Sequence, residues 1–197
     1  MDYSGGPRPN FLYIGPDKAG STWIDRILRH HPQVGMGSAK ETFYFDRYFH
    51  KGEGWYLRHF SKAVGFQVVG EVSHDYLFDP RCCERIAGCL PDVRLMVCLR
   101  EPARRAFSAY LYMLRQGRPM GTFEAALGHC PELIDHGRYA THLEPYLATF
   151  GRERVHLAIF DDLQQTPQAF ADALFDFLGL DACRLPGDCH CSENVVP

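Results

Sequence analysis

The chain has 197 residues, 46% of them hydrophobic and 23% charged, which suits one α/β domain with a packed core. A formal net charge of −3 argues against non-specific binding to a polyanion such as DNA and leaves room for a local basic cleft. No run approaches the length of a membrane-spanning helix, and the polar, Gly/Pro-rich start has no apolar signal-peptide core, so the expected compartment is the cytosol, away from any membrane.

In chain order, "FLYIG" (Phe11–Gly15) reads as a short buried strand ending at glycine. Ser21–His31 reads as a helix: Trp23, Ile24, Ile27 and Leu28 fall on one face, and Pro32 stops it. Phe66–Glu71 is a second strand, followed by a helix over Pro80–Cys89. Arg94–Arg100 is a third strand, nearly all apolar, as a central parallel strand should be. Helices are predicted over Pro102–Gln116 and Arg138–Phe150, a fourth strand over Val155–Leu163, and a closing helix over Pro167–Leu178. Strands separated by helices predict an α/β fold, a P-loop-like parallel β-sheet flanked by helices on both faces, as a single domain over 1–197.

Ligands of such sheets bind beyond the carboxyl ends of the strands. The first such loop, "YIGPDKAGSTW" (Tyr13–Trp23), resembles a phosphate loop with its lysine displaced. A Walker A loop reads G-x-x-x-x-G-K-[ST]. Gly15 and Gly20 keep that spacing and Ser21 and Thr22 follow, but the lysine, Lys18, lies inside the loop. Backbone N–H groups of such a loop, with the N-terminus of the next helix, make a nest for an anion. The third strand ends in Arg100 and not in a metal-binding acid, which favours a second anionic group over Mg²⁺. The site is therefore expected to hold two anionic groups and to need no metal.

These two elements together resemble the sulfotransferases that use 3′-phosphoadenosine 5′-phosphosulfate (PAPS). Pro16–Trp23 is similar to their 5′-phosphosulfate loop, with Asp17 inserted relative to its P-K form. "LREPARRAFSAY" is similar to their 3′-phosphate element, with Arg100 and Ser108 at its strand-to-helix spacing. Ala39–Phe60 resembles the E-x-H-F-F-D…G-x-x-W-Y segment of the heparan sulfate branch and its bacterial relatives. Gly70–Pro80 resembles their G-E-K-[ST]-P-x-Y segment, with Val72 where many members carry lysine and His74 where proline is common. His136–Leu180 matches the closing helix–strand–helix, and the chain stops at Pro197, where members usually continue into a Gly/basic cofactor loop.

The resemblance implies sulfuryl transfer from PAPS to a hydroxyl or amine, with 3′,5′-ADP as the product. It places Lys18, Ala19, Gly20, Ser21, Thr22 and Trp23 around the 5′ side and adenine, and Arg100 and Ser108 on the 3′-phosphate. Lys18 becomes the cation at the leaving phosphate. Glu41 matches the branch's base, and a carboxylate partly buried there could carry a raised pKa. His74 is the second candidate, since an imidazole needs little tuning near neutral pH. Asp46, Glu71 and Asp75 could orient the base. The aromatics Phe43, Tyr44, Phe45, Tyr48, Trp55 and Tyr56 suit an apolar or aromatic small-molecule acceptor, such as a secondary-metabolism intermediate. Equally they could be core, with Arg104, Arg105, Arg115 and Arg118 forming a basic groove for a longer acceptor. A P-loop kinase using ATP–Mg²⁺ and a non-catalytic nucleotide-binding protein are the other readings. The eight cysteines read as reduced thiols; the cluster Cys183, Cys189, His190 and Cys191 fits no common zinc spacing.

Overall fold

A computed structural model of the protein describes residues 6–187. Five strands, β1 (Phe11–Gly15), β2 (Val34–Met36), β3 (Val68–Val72), β4 (Arg94–Leu99) and β5 (Val155–Ile159), make one sheet. Their order is β2-β3-β1-β4-β5, and every neighbouring pair is parallel. The helices are α1 (Ser21–His30), α2 (Glu53–Leu57), α3 (Pro80–Cys89), α4 (Pro102–Arg115), α5 (Phe123–His129), α6 (Glu132–Asp135), α7 (Tyr139–Phe150), α8 (Phe160–Gln165) and α9 (Pro167–Leu178).

Strand alternation builds two cores. Phe11 and Tyr13 of β1 face a core completed by Trp23 and Ile27 of α1 and by Phe170 and Leu174 of α9. Leu12 and Ile14 face the opposite core with Ile86 of α3 and Tyr146 of α7. The expected parallel sheet with helices on both faces is therefore present. Among the described residues no helix is long and apolar enough to cross a membrane. Cys189, His190 and Cys191 lie outside the described residues.

Some details differ from expectation. The strand expected at Phe66 begins at Val68, because Phe66 is 40% exposed at the sheet's rim. The strand expected through Leu163 stops at Ile159, and Phe160–Gln165 turns into α8. Asp161 and Asp162 sit in that helix's first turn, where carboxylates complement its positive end. The edge strand β2 was not expected; three residues, Val-Gly-Met, carry too little periodicity to show.

Candidate active site

Beyond the carboxyl ends of β1, β3 and β4 lies a cleft of about 620 Å³. Two glycines set how the elements around it meet. Gly15 closes β1 at φ 137°, and a Cβ there would lie 2.5 Å from the carbonyl oxygen of His74. The missing side chain lets the phosphate loop press against the segment after β3. Gly20 caps α1 in the left-handed region at φ 88°, where a Cβ would meet Leu163 at 2.9 Å. No side chain caps α1, so its N-terminus suits an anion.

Lys18 adopts the left-handed φ of 59°. Its carbonyl accepts from Arg100 Nη1 at 2.8 Å, which ties the loop to the end of β4. Its Nζ lies 3.3 Å from the ring centroid of Tyr112 on α4. Burial lowers the Lys18 pKa, Asp17 opposes that shift, and Lys40 adds to it. Arg100 also stacks over Phe160 at 4.7 Å, and its carbonyl accepts from Tyr139 at 2.7 Å. Ser108 lines the same cleft.

Of the expected cofactor residues, Lys18, Gly20, Ser21, Thr22, Trp23, Arg100 and Ser108 all face the cleft. Ala19 does not: its methyl is fully buried in the core, so only its backbone is left for a ligand. Trp23 is only 8% exposed and meets Phe170 edge-on at 5.8 Å, so most of the indole is core and one edge reaches the cleft.

Glu41 and His74 meet in the cleft wall. His74 Nδ1 lies 2.9 Å from Glu41 Oε1, and Nε2 lies 3.3 Å from Asp75 Oδ1. Asp75 is in turn paired with Arg47. Burial alone would raise the Glu41 carboxyl, but the hydrogen bond and charge of His74, with Lys40, outweigh it and pull the pKa down to about 2. The shift is opposite to the raised value expected from burial. Burial likewise works against the His74 imidazolium, yet Glu41 and Asp75 overcome it and raise its pKa.

A buried carboxylate holds this wall in place. Glu71, 1% exposed, accepts at Oε1 from the Thr42 hydroxyl at 2.7 Å and from Tyr76 at 2.8 Å, and also from Ser73. Its Oε2 accepts from Tyr56 at 2.7 Å. Thr42 follows Glu41 directly, so the network fixes the Glu41 segment onto β3.

The aromatic wall is mostly core. Tyr44, Phe45 and Tyr56 are buried, and Tyr44 stacks on Tyr56 at 4.4 Å. Phe43 alone of the group faces the pair, with its ring 6.0 Å from that of His74. Arg105 is no groove residue either: it is 1% exposed, pairs with Asp17 at 3.1 Å, and donates to the Leu133 carbonyl at 2.6 Å.

Sequence reasoning missed Lys40 and Tyr112. Lys40 Nζ reaches Thr22 Oγ1 at 3.0 Å and Glu41 Oε1 at 3.2 Å, bridging the phosphate loop and the carboxylate. Its position beside Glu41 was the available signal. Lys18, Lys40, Arg100, Arg104 and Arg115 line the cleft against the carboxylates Asp17 and Glu41. A net acidic chain thus concentrates positive charge where an anion would bind.

The sulfotransferase domain family matches residues 8–189. A mouse heparan sulfate glucosamine 3-O-sulfotransferase 3B1 is 31% identical over 181 residues, which cover 87% of this chain and 46% of that protein. The membrane-associated sulfotransferase kil1 of Dictyostelium discoideum is 34% identical over 110 residues, 54% of this chain and 23% of that one. The chain thus spans less than half the length of these two relatives. A sulfotransferase crystal structure from Alicyclobacillus acidocaldarius superposes with a TM-score of 0.84 at 30% identity, covering 97% of this chain and 87% of the other. The chain belongs to the sulfotransferase domain family.

Proposed function

We propose that the protein transfers a sulfuryl group from PAPS to a hydroxyl, or an amine, of a small acceptor. The observation that carries this reading is the convergence of Lys18, Arg100 and Ser108 with the Glu41–His74 pair in one cleft. The donor set fits the cofactor: an uncapped helix N-terminus with Ser21 and Thr22 for one anionic group, and Arg100 with Ser108 for another. PAPS supplies an activated sulfuryl group carried on a phosphate leaving group. The edge of Trp23 is left for the adenine.

The residues divide the work. Lys18 stabilises negative charge developing on the oxygen that links phosphate and sulfur. Arg100 anchors the far phosphate as a forked donor. Glu41 would take the acceptor's proton as the acceptor's oxygen or nitrogen bonds to sulfur and the sulfur–oxygen bond to the phosphate breaks, releasing 3′,5′-ADP. Among the described residues both polar contacts of Glu41 fall on Oε1, which leaves Oε2 for that proton. A carboxylate held near pKa 2 is a weak base at rest. An anion that draws Lys40 onto itself removes one cation from Glu41 and raises its basicity. His74, held by carboxylates on both nitrogens, orients Glu41; it is also the second candidate for the base. No step requires a metal.

The acceptor is a small molecule with an apolar or aromatic body. Phe43 beside His74 and Phe107 and Leu111 in the cleft wall support that preference, as does the chain's net charge of −3. Titration calorimetry tests the donor reading. The protein is expected to bind 3′,5′-ADP without metal and in preference to ATP–Mg²⁺. Arg100→Ala should weaken 3′,5′-ADP by about 1.5–3 kcal/mol, the worth of a charge-assisted hydrogen bond. Preference for ATP–Mg²⁺ would instead identify a kinase.

A further inference from the structure

The Lys18 ammonium has an unusual partner. Among the described residues it makes no ion pair with a carboxylate, although Asp17 precedes it and Glu41 lines the same cleft. It sits on the face of Tyr112, with Nζ 3.3 Å from the ring centroid. The lysine backbone that delivers it is doubly fixed, by the left-handed φ of 59° and by the Arg100 bond to its carbonyl. Tyr112 is 49% exposed, so packing does not account for the ring's place at the cleft wall. It lies one helical turn beyond Ser108 on α4, and both residues line the cleft.

A ring face holds a cation without neutralising it. An ion pair with Asp17 or Glu41 would have to be broken before Lys18 could serve an incoming anion, and a pair on Glu41 Oε2, the oxygen that His74 and Lys40 leave open, would also occupy the base. The aromatic contact avoids both. It keeps the charge in the cleft, spares the carboxylates, and leaves the far side of the ammonium open. We propose that Tyr112 is a positioning residue that presents the Lys18 ammonium to the leaving phosphate, so that α4 sets Lys18 and Ser108 in register. This rests on the sulfuryl-transfer reading.

The test is a mutant cycle of Tyr112→Phe, Tyr112→Leu, Lys18→Ala and the Lys18→Ala/Tyr112→Leu double variant. Three quantities are read: the Kd of 3′,5′-ADP, the single-turnover breakdown of bound PAPS to 3′,5′-ADP and sulfate with water as acceptor, and the NMR shift of the Lys18 ε-methylene protons. Tyr112→Leu is expected to slow turnover by ~10-fold or more while changing the Kd by less than ~3-fold, because the ammonium matters most as charge develops. Tyr112→Phe keeps the ring and should recover most of the rate. In the Lys18→Ala background the leucine substitution should cost nothing further, since its effect runs through the lysine. A leucine penalty that persists without Lys18, or a leucine variant at full rate, overturns the proposal. The methylene protons should be ring-shifted upfield in the wild type and in Tyr112→Phe, and not in Tyr112→Leu. Unshifted wild-type protons overturn the contact itself. Failure of the wild type to bind 3′,5′-ADP at all, with the ring shift intact, would instead reject the sulfuryl-transfer reading on which the role depends.

Discussion

At the residue scale, charge pairing outweighs burial at the Glu41–His74 pair. The carboxyl is pulled from its ordinary 4.5 to about 2, and the imidazole is raised above 6.5. The stability signs follow. The lowered Glu41 stabilises the fold above its ordinary pKa, and that contribution fades as pH falls toward 2. The raised His74 stabilises the fold below its ordinary pKa, and that contribution fades as pH rises through its folded value. With Glu41 as base, oriented by its bond to charged His74, turnover should be level through mildly acidic pH and fall on the alkaline side, where losing that orientation outweighs the gain in Glu41 basicity as His74 gives up its proton. A rate that rises through the His74 titration would assign the base to His74. The pH–rate profile of the wild type and of His74→Gln separates the two. Lys18→Ala should lower turnover more than PAPS affinity; weaker binding at normal turnover would make the lysine a mere anchor.

At the element scale, the network on β3 holds the site's shape. Glu71 ties Thr42, Tyr56, Ser73 and Tyr76 to one carboxylate, and these residues come from three separate stretches of chain. Glu71→Gln should cost about 1.5–3 kcal/mol in denaturant unfolding, as loss of charged hydrogen bonds does. It should also slow turnover, because the Glu41 segment loses its anchor. The central strands and main helices were legible in the sequence, since β1 and β4 are apolar runs bounded by glycine or proline. That the Lys18–Thr22 loop and Arg100–Ser108 would line a cleft was legible for a different reason: each motif is local, within one strand–loop–helix. What stayed hidden was long-range. Arg105 is indistinguishable in sequence from Arg104, and only the fold buries it against Asp17. For Tyr44 and Tyr56 the sequence left an acceptor wall and core packing equally open, and only the fold, which stacks them on one another, places them in the core. Lys40 and Tyr112 gain meaning only when separate elements meet over the loop.

At the scale of the whole molecule, ligand binding should act on global stability by mass action. With 3′,5′-ADP at a hundred times its Kd, unfolding should become harder by about 2.7 kcal/mol, seen as a raised melting temperature that ATP–Mg²⁺ does not match. The strand order adds a consequence of another kind. β1 lies in the middle, with the β2–β3 half on one side and the β4–β5 half on the other. The residues read as serving the acceptor, Glu41 and His74, belong to the first half. Those read as gripping the nucleotide, Arg100 and Ser108, belong to the second. Natural recombination, or a designed chimera joined near Arg94, could therefore exchange one half while retaining the other. Grafting a relative's Gly37–Asp79 segment onto this chain should shift acceptor choice toward that relative's, with Phe107 and Leu111 of α4 still contributing this chain's own wall, and leave 3′,5′-ADP affinity nearly unchanged. The seam is the contact of Gly15 with the grafted His74 backbone, so the graft should fold on this chain as it stands, whereas the same graft carrying Gly15→Ala should not.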